Sequence, residues 1–157
     1  MVDKKQVYFR KVSEQDEHIL LEWRNDAKTR KQSFQTDLVT KEEHHEWFQK
    51  TLKNEKIVLL LCVCDNVPIG TIRIEKYDLE ADISYSIDSA YRGQGFGRKM
   101  IDMLLDYAQE LNIPCLRAQV KTDNLASQKI LLVNGFQKQE ISQDQSKLIF
   151  KKRFLKS

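Results

Sequence analysis

Residues 81–108 constrain the fold more tightly than any other stretch. Ala81-Asp-Ile-Ser-Tyr-Ser-Ile-Asp88 alternates, with Ile83, Tyr85 and Ile87 on one side and Asp82, Ser84 and Ser86 on the other. That period predicts a strand with one covered face. Arg92-Gly-Gln-Gly-Phe-Gly97 follows as a turn, and then Phe96, Met100, Leu104 and Ala108 fall in one row with Ile101 and Leu105 beside it. That row predicts a strongly amphipathic helix. A strand, a tight turn and a helix buried on one side require a sheet for the helix to lie on, so the chain must be α/β or α+β.

The turn itself points to an anion. A Walker A loop fails, because Arg98-Lys-Met follows Gly97 with no Ser or Thr. A dinucleotide fingerprint fails too, since its third Gly would fall at Arg98. What stands is Arg-x-x-Gly-x-Gly between a strand and a helix. Glycines let the backbone bend sharply and present its N–H groups, and the helix start behind them carries about half a positive charge. Arg92, Gly93, Gln94, Gly95, Phe96, Gly97 and Arg98 therefore form a candidate cradle for a pyrophosphate, with the two arginines as charge at its rim.

The flanking sequence completes one mixed sheet. Val7–Val12 reads as a strand, and Ser13 with Asp16 caps a helix carrying Ile19, Leu20 and Trp23. Thr40-Lys-Glu-Glu43 is a capping box opening a helix through Trp47, Phe48 and Leu52. Ile57–Cys64 is an apolar strand, Asp65-Asn66 a turn, and Val67–Tyr77 an alternating strand with Arg73 and Glu75 on its polar side. Cys115–Lys121 is a strand, Asn124–Val133 a helix stopped by Asn134-Gly135, and Phe136–Ile141 with Lys147–Leu155 a terminal pair. The expectation is one domain over residues 1–157, about seven strands with four helices.

Composition removes several classes. With 41% apolar and 31% charged residues the 157-residue chain is no disordered segment, and a net charge of +3 excludes a strongly basic nucleic-acid binder. The longest apolar run, residues 57–64, is far short of the roughly 20 residues that span a bilayer. Met1–Gln6 has no apolar core of a signal peptide. The three cysteines sit in apolar runs and read as reduced core residues of a cytoplasmic protein. His44-His45-Glu46 is not H-E-x-x-H, and no metal site is expected. Lys151-Lys-Arg153 reads as a solvated strand edge.

Residues 92–97 resemble the acyl-CoA-binding signature of the GNAT family of N-acetyltransferases, and Asn124-Leu-Ala-Ser127 followed by Gly135-Phe136 is similar to that family's second motif. The resemblance covers essentially the whole chain. It implies a GNAT fold whose strands splay around acetyl-CoA as the acyl donor. The backbone of Ser86, Ile87 and Asp88 would then meet the pantetheine arm, with Asn124 and Ser127 beside it.

Acyl transfer to an amine needs no covalent enzyme intermediate. It needs positioning, removal of a proton from the amine, and an acid for the leaving thiolate. An α-amine of pKa near 8 is about one quarter neutral at pH 7.5, whereas a lysine near 10.4 is only ~0.1% neutral. A base acting through water is therefore enough for an easy amine. Asp82 is the candidate base, with Ser84 to hold water. The resemblance implies a Tyr acid four residues after Ser127, where this chain has Leu131. Tyr85 is the substitute candidate, although its alternation sets it opposite Asp82.

The first third of the chain resembles the GNAT subgroup that acetylates UDP-linked 4-amino sugars on the route to pseudaminic-type acids. The residues carrying this are Leu21-Glu-Trp-Arg-Asn25, Arg30, His44 and Trp47-Phe48. On that reading Trp23 or Trp47 stacks on a ring, Arg24 and Arg30 meet a diphosphate, and Asn25, His44 and Arg73 line the acceptor. The competing reading of both tryptophans is core packing, and of Arg30 a solvated charge cluster. The expected partner is a small-molecule amine, a nucleotide sugar first, and the chain a monomer or homodimer. Two alternatives stay open: a ribosomal or other protein N-terminal acetyltransferase, and a CoA-binding module without catalysis.

Overall fold

Eight consecutive apolar residues cannot lie on a solvated sheet face, so the strand they form must be covered on both sides. In the computed structural model, which describes residues 6–154, that strand is β2, Ile57–Cys64, and it is buried from Leu59 onward. Its partners are β1, Val7–Lys11, and β3, Val67–Lys76. The hairpin between β2 and β3 turns on Asp65 and Asn66, whose φ values of 50° and 68° match the left-handed pair such a turn requires. The remaining strands are β4, Ala81–Ile87; β5, Cys115–Lys121; β6, Gln137–Ile141; and β7, Lys147–Arg153. All seven form one mixed sheet in the order β1-β2-β3-β4-β5-β7-β6.

The helices are α1, Glu17–Asn25; α2, Ala27–Gln32; α3, Lys41–Lys53; α4, Phe96–Glu110; and α5, Leu125–Val133. Among the described residues there are five rather than four, because a six-residue helix starts directly after α1 with Asp26 as its N-cap. Ser13 and Asp16 do form a capping box, but over a 3-10 turn, Glu14–Asp16, that runs into α1.

By proximity along the folded chain two units emerge. One holds the residues up to Arg73 together with Tyr85–Gln94. Its core joins Leu20 and Trp23 of α1, Phe48 of α3 and Leu59, Leu61 and Val63 of β2, with Val12. The other holds Ile74–Ser84 and the residues from Gly95 on. There β4 and β5 run parallel, with Ala81, Asp82 and Ile83 opposite Leu116, Arg117 and Ala118. Its buried side chains include Phe96, Met100, Ile101 and Leu104 of α4, Leu116 of β5 and Phe150 of β7.

Both long helices of this unit end the same way. After α4, Asn112 takes φ 59°, its N–H donates to Gln109 and that of Ile113 to Ala108. After α5, Gly135 takes φ 87°, its N–H donates to Leu132 and that of Phe136 to Leu131. These are Schellman closures, with Asn and Gly in the left-handed position.

The terminal pair corrects one reading. Because β7 lies between β5 and β6, Lys151 is paired on both sides and is not a sheet edge, whereas Lys152 and Arg153 run past β6 and pair with β5 alone. Lys151 is largely buried and its Nζ donates to Glu80 at 2.7 Å. The outer strand is β6, exposed along its length, with a bulge between Lys138 and Glu140 that spoils its edge as a template. Leu155 and the Met1–Lys5 part of the N-terminal reading lie outside the described residues.

Candidate active site

The glycine turn adopts the backbone its sequence requires. Asp88 starts a 3-10 turn, Ser89–Tyr91, by accepting from the Ala90 N–H at 2.9 Å. Gly93 and Gly95 then take φ 73° and 87°, a region costly to any residue with a Cβ. At Gly93 a Cβ would meet nothing within 4 Å, so conformation alone demands glycine there. Gly95 is the N-cap of α4 and has no side chain to cap with. The first intrahelical bond runs from Lys99 N–H to Gly95 O, so the N–H groups ahead of it have no intrahelical acceptor. Backbone donors, a helix dipole and left-handed glycines in one turn suit a phosphate group.

Arg92 does not sit at the rim as free charge. Its Nε donates to Ile87 O at 3.1 Å, and its Nη2 donates to Asp26 Oδ2 at 2.7 Å and Thr29 Oγ1 at 3.0 Å. Asp26 uses the same oxygen to cap α2 through Thr29 N–H at 3.0 Å. Burial alone would raise the Asp26 pKa, but the bonds from Arg92 and Thr29 outweigh it and hold the carboxyl below its ordinary value. The signal was present in Asp26 itself, a residue type favoured at helix N-caps.

Trp23 is corrected from ring-stacking residue to core residue. It is 4% exposed, and its indole N–H donates to Asp88 Oδ2 at 2.8 Å. A buried indole needs such a partner. Arg24, Asn25 and Arg30 likewise turn to backbone. Arg24 Nη2 donates to Gln35 O, Arg30 donates to Asn25 O and Thr36 O, and Asn25 both donates to Val39 O and accepts from Val39 N–H. Together they hold the segment from Ser33 to Val39, which exposes Phe34 and Leu38.

His44 is 3% exposed, stacks on Phe48 and tilts against Trp47, and its Nδ1 is buried without a partner. A side chain so enclosed is not a surface contact for an acceptor. Burial lowers its pKa, Glu17 opposes this, and Arg24 and His45 add to it. His45 instead lies 2.9 Å from Glu17. Trp47 is the exception in this group, 41% exposed.

On β4, Asp82 is partly exposed and receives Arg117 Nη1 at 3.2 and 3.4 Å on its two oxygens. Ser84 is exposed, while Tyr85, Ser86, Ile87 and Asp88 are of intermediate exposure, as is Arg73 on β3. Asn124 caps α5 by accepting from Ser127 N–H at 3.2 Å, and Leu131, at the position of the expected acid, is fully buried. Among the described residues no group of three or more His, Cys, Asp or Glu is arranged to hold a metal ion. No helix among them is long and apolar enough to cross a membrane.

The glycine turn offers backbone donors for a phosphate at the end of a mixed sheet, and comparison with known proteins gives the family. The family model for the acetyltransferase (GNAT) domain matches residues 6–137, and the chain belongs to that family. N-acetyl transfer is the activity named for the relatives that follow. An uncharacterized N-acetyltransferase p20 of Bacillus licheniformis is 32% identical over 83 residues, which cover 50% of this chain and 47% of that protein. The chain thus matches about half the length of that relative. The spermidine N-acetyltransferase of Vibrio cholerae, in complex with CoA and spermine, is similar in fold with a TM-score of 0.88 at 16% identity, over 96% of each chain. AAC(6')-Ib in complex with ribostamycin and coenzyme A has a TM-score of 0.82 at 17% identity, over 95% of this chain and 94% of that one.

Proposed function

We propose that this chain acetylates the primary amine of an amino sugar carried on a nucleotide. The observation that carries the reading is Trp47, an indole left 41% exposed on a helix whose other aromatic, Phe48, is fully buried. A flat, amphipathic ring held at a surface is suited to stacking on a sugar or base. The ribostamycin-bound neighbour shows that this fold accommodates an aminoglycoside in that protein. Since Arg24 and Arg30 are engaged with backbone carbonyls, recognition rests on the sugar ring rather than on a diphosphate held by those two residues.

In this reading the Gly93–Arg98 amides bind the pyrophosphate, and the backbone of Ser86, Ile87 and Asp88, with Asn124 and Ser127, aligns the arm that leads to the thioester. When bound, acetyl-CoA supplies the thioester: its carbonyl carbon bonds to the amine nitrogen, the C–S bond breaks and the thiolate leaves. Asp82 takes the proton of the attacking amine through a water that Ser84 orients, and Arg117 fixes the carboxylate in place. Tyr85, set on the other side of β4 by the strand period, is not needed for that step, and solvent protonates the thiolate.

A CoA-release assay tests the reading. Turnover with a UDP-linked 4-amino sugar, and a KM for it raised about tenfold by Trp47→Ala, are expected. Turnover confined to peptides with ribosomal-protein N-termini replaces this acceptor with the protein alternative. Acetyl-CoA binding with no turnover on sugars, peptides or polyamines leaves a binding module.

A further inference from the structure

Two side-chain bridges join the first helices to the segment that enters the glycine turn. Trp23 of α1 donates to Asp88, and Arg92 pairs with Asp26 at the junction of α1 and α2. The second bridge is the one with consequences. A six-residue helix is too short to hold itself together, and the side chain that caps α2 is Asp26. Asp26 is in turn located by Arg92, which is also clamped to Ile87 O and Thr29 Oγ1. From α2 the connection continues: Ser33 Oγ donates to Thr29 O at 2.7 Å, and Arg30 grips Thr36 O. The order of residues 27–39 therefore depends on where the backbone at position 92 sits, one residue before the first left-handed glycine.

We infer that Arg92 and Asp26 act as a pair of positioning residues, through which seating of acetyl-CoA at the glycine turn orders α2 and the segment Ser33–Val39. The inference rests on the turn being the acetyl-CoA site. It assigns to Arg92 a role beyond phosphate binding: its Nε donates to Ile87 O, and its Nη2 to Asp26 and Thr29. Coupling of this kind is reciprocal, so whatever binds against residues 27–39 strengthens acetyl-CoA binding by the same factor.

Hydrogen exchange with and without saturating acetyl-CoA, alongside calorimetric acetyl-CoA affinity, tests it on the whole chain. In the wild type, acetyl-CoA should slow exchange across residues 27–39 by about tenfold, within the usual range of such couplings. Asp26→Asn and Arg92→Gln should each still bind acetyl-CoA but lose that increment, and the double variant should be no worse than either single one. Thr29→Val, which removes one partner of the same knot, gives a milder variant in case the first two do not fold. Asp16→Asn serves as the control: it weakens the fold elsewhere and should keep the increment. An increment that survives in Asp26→Asn, or one absent from a wild type that binds acetyl-CoA, overturns the inference. So does a loss of affinity in Arg92→Gln that Asp26→Asn does not share. If acetyl-CoA neither binds nor protects any part of the wild type, the acetyl-transfer reading itself has failed, and the bridge falls with it.

Discussion

A side chain at position 95 has two separate costs. The residue sits at φ 87°, and the left-handed region disfavours any Cβ by about 1–2 kcal/mol. It also caps α4, where bulk would keep a phosphate from the backbone donors. Gly95→Val is expected to lower stability by that amount and to raise the Kd for acetyl-CoA about tenfold or more, read by calorimetry. Unchanged affinity in a folded variant would remove the turn as the carrier site. Asp82→Asn, by contrast, should lower kcat much more than acetyl-CoA affinity, and equal turnover at every pH would dismiss it as the base. At Asp16, the carboxylate takes both Arg10 nitrogens at 2.8 and 2.9 Å and the Ser13 N–H at 2.8 Å. Asp16→Asn should cost about 2 kcal/mol, seen as a lower urea midpoint.

The elements were largely legible in the sequence because their periods are strong. The strand at residues 81–87 and the helix at 96–110 fall where alternation and helical rows put them. The helix α2 was not legible, since Ala27-Lys-Thr-Arg-Lys-Gln32 has no apolar face and none of its residues is buried. Its N-cap, Asp26, is held by Arg92, which is remote in sequence. The same gap explains the site. Gly93, Gly95 and Asn124 have local jobs that local sequence reveals, whereas Arg24, Asn25, Arg30 and Arg92 look like ligand residues until their carbonyl and carboxylate partners are known. Charge and donor count are visible in a sequence; which partner already satisfies them is not. A prediction at this scale concerns α5: at Gly135 a Cβ would press only on the end of the Lys152 side chain, at 3.1 Å, which can move. The cost of Gly135→Ala is then conformational, about 1 kcal/mol, and a lysine shortened at 152 should not relieve it.

For the whole molecule the titrating groups pull one way. The pKa of Asp16 is lowered first by the Arg10 bond, that of Glu80 first by the Lys151 bond, and that of Asp26 by Arg92 and Thr29 against its burial. Each therefore contributes stability that is complete above the ordinary carboxylate pKa of about 4 and is lost as pH falls through the lowered folded value. His44, lowered by burial, adds a loss that starts near pH 6.5 and proceeds downward, because the unfolded chain takes up its proton first. Urea midpoints from pH 8 to 3 should thus fall in two stages. His44→Gln should flatten the upper stage and Asp16→Asn the lower, and a wild type equally stable at pH 7.5 and 5.5 would contradict the first.

The three cysteines, Cys62, Cys64 and Cys115, are buried and outside any disulfide, and burial first, then Cys64, pushes the Cys62 thiol up to about 12. Thiols buried in apolar surroundings are inert toward electrophiles. A chromogenic disulfide reagent mixed with the native chain should therefore register only the sulfhydryl that each turnover liberates, and a sudden extra three equivalents of colour would announce that the chain had come apart.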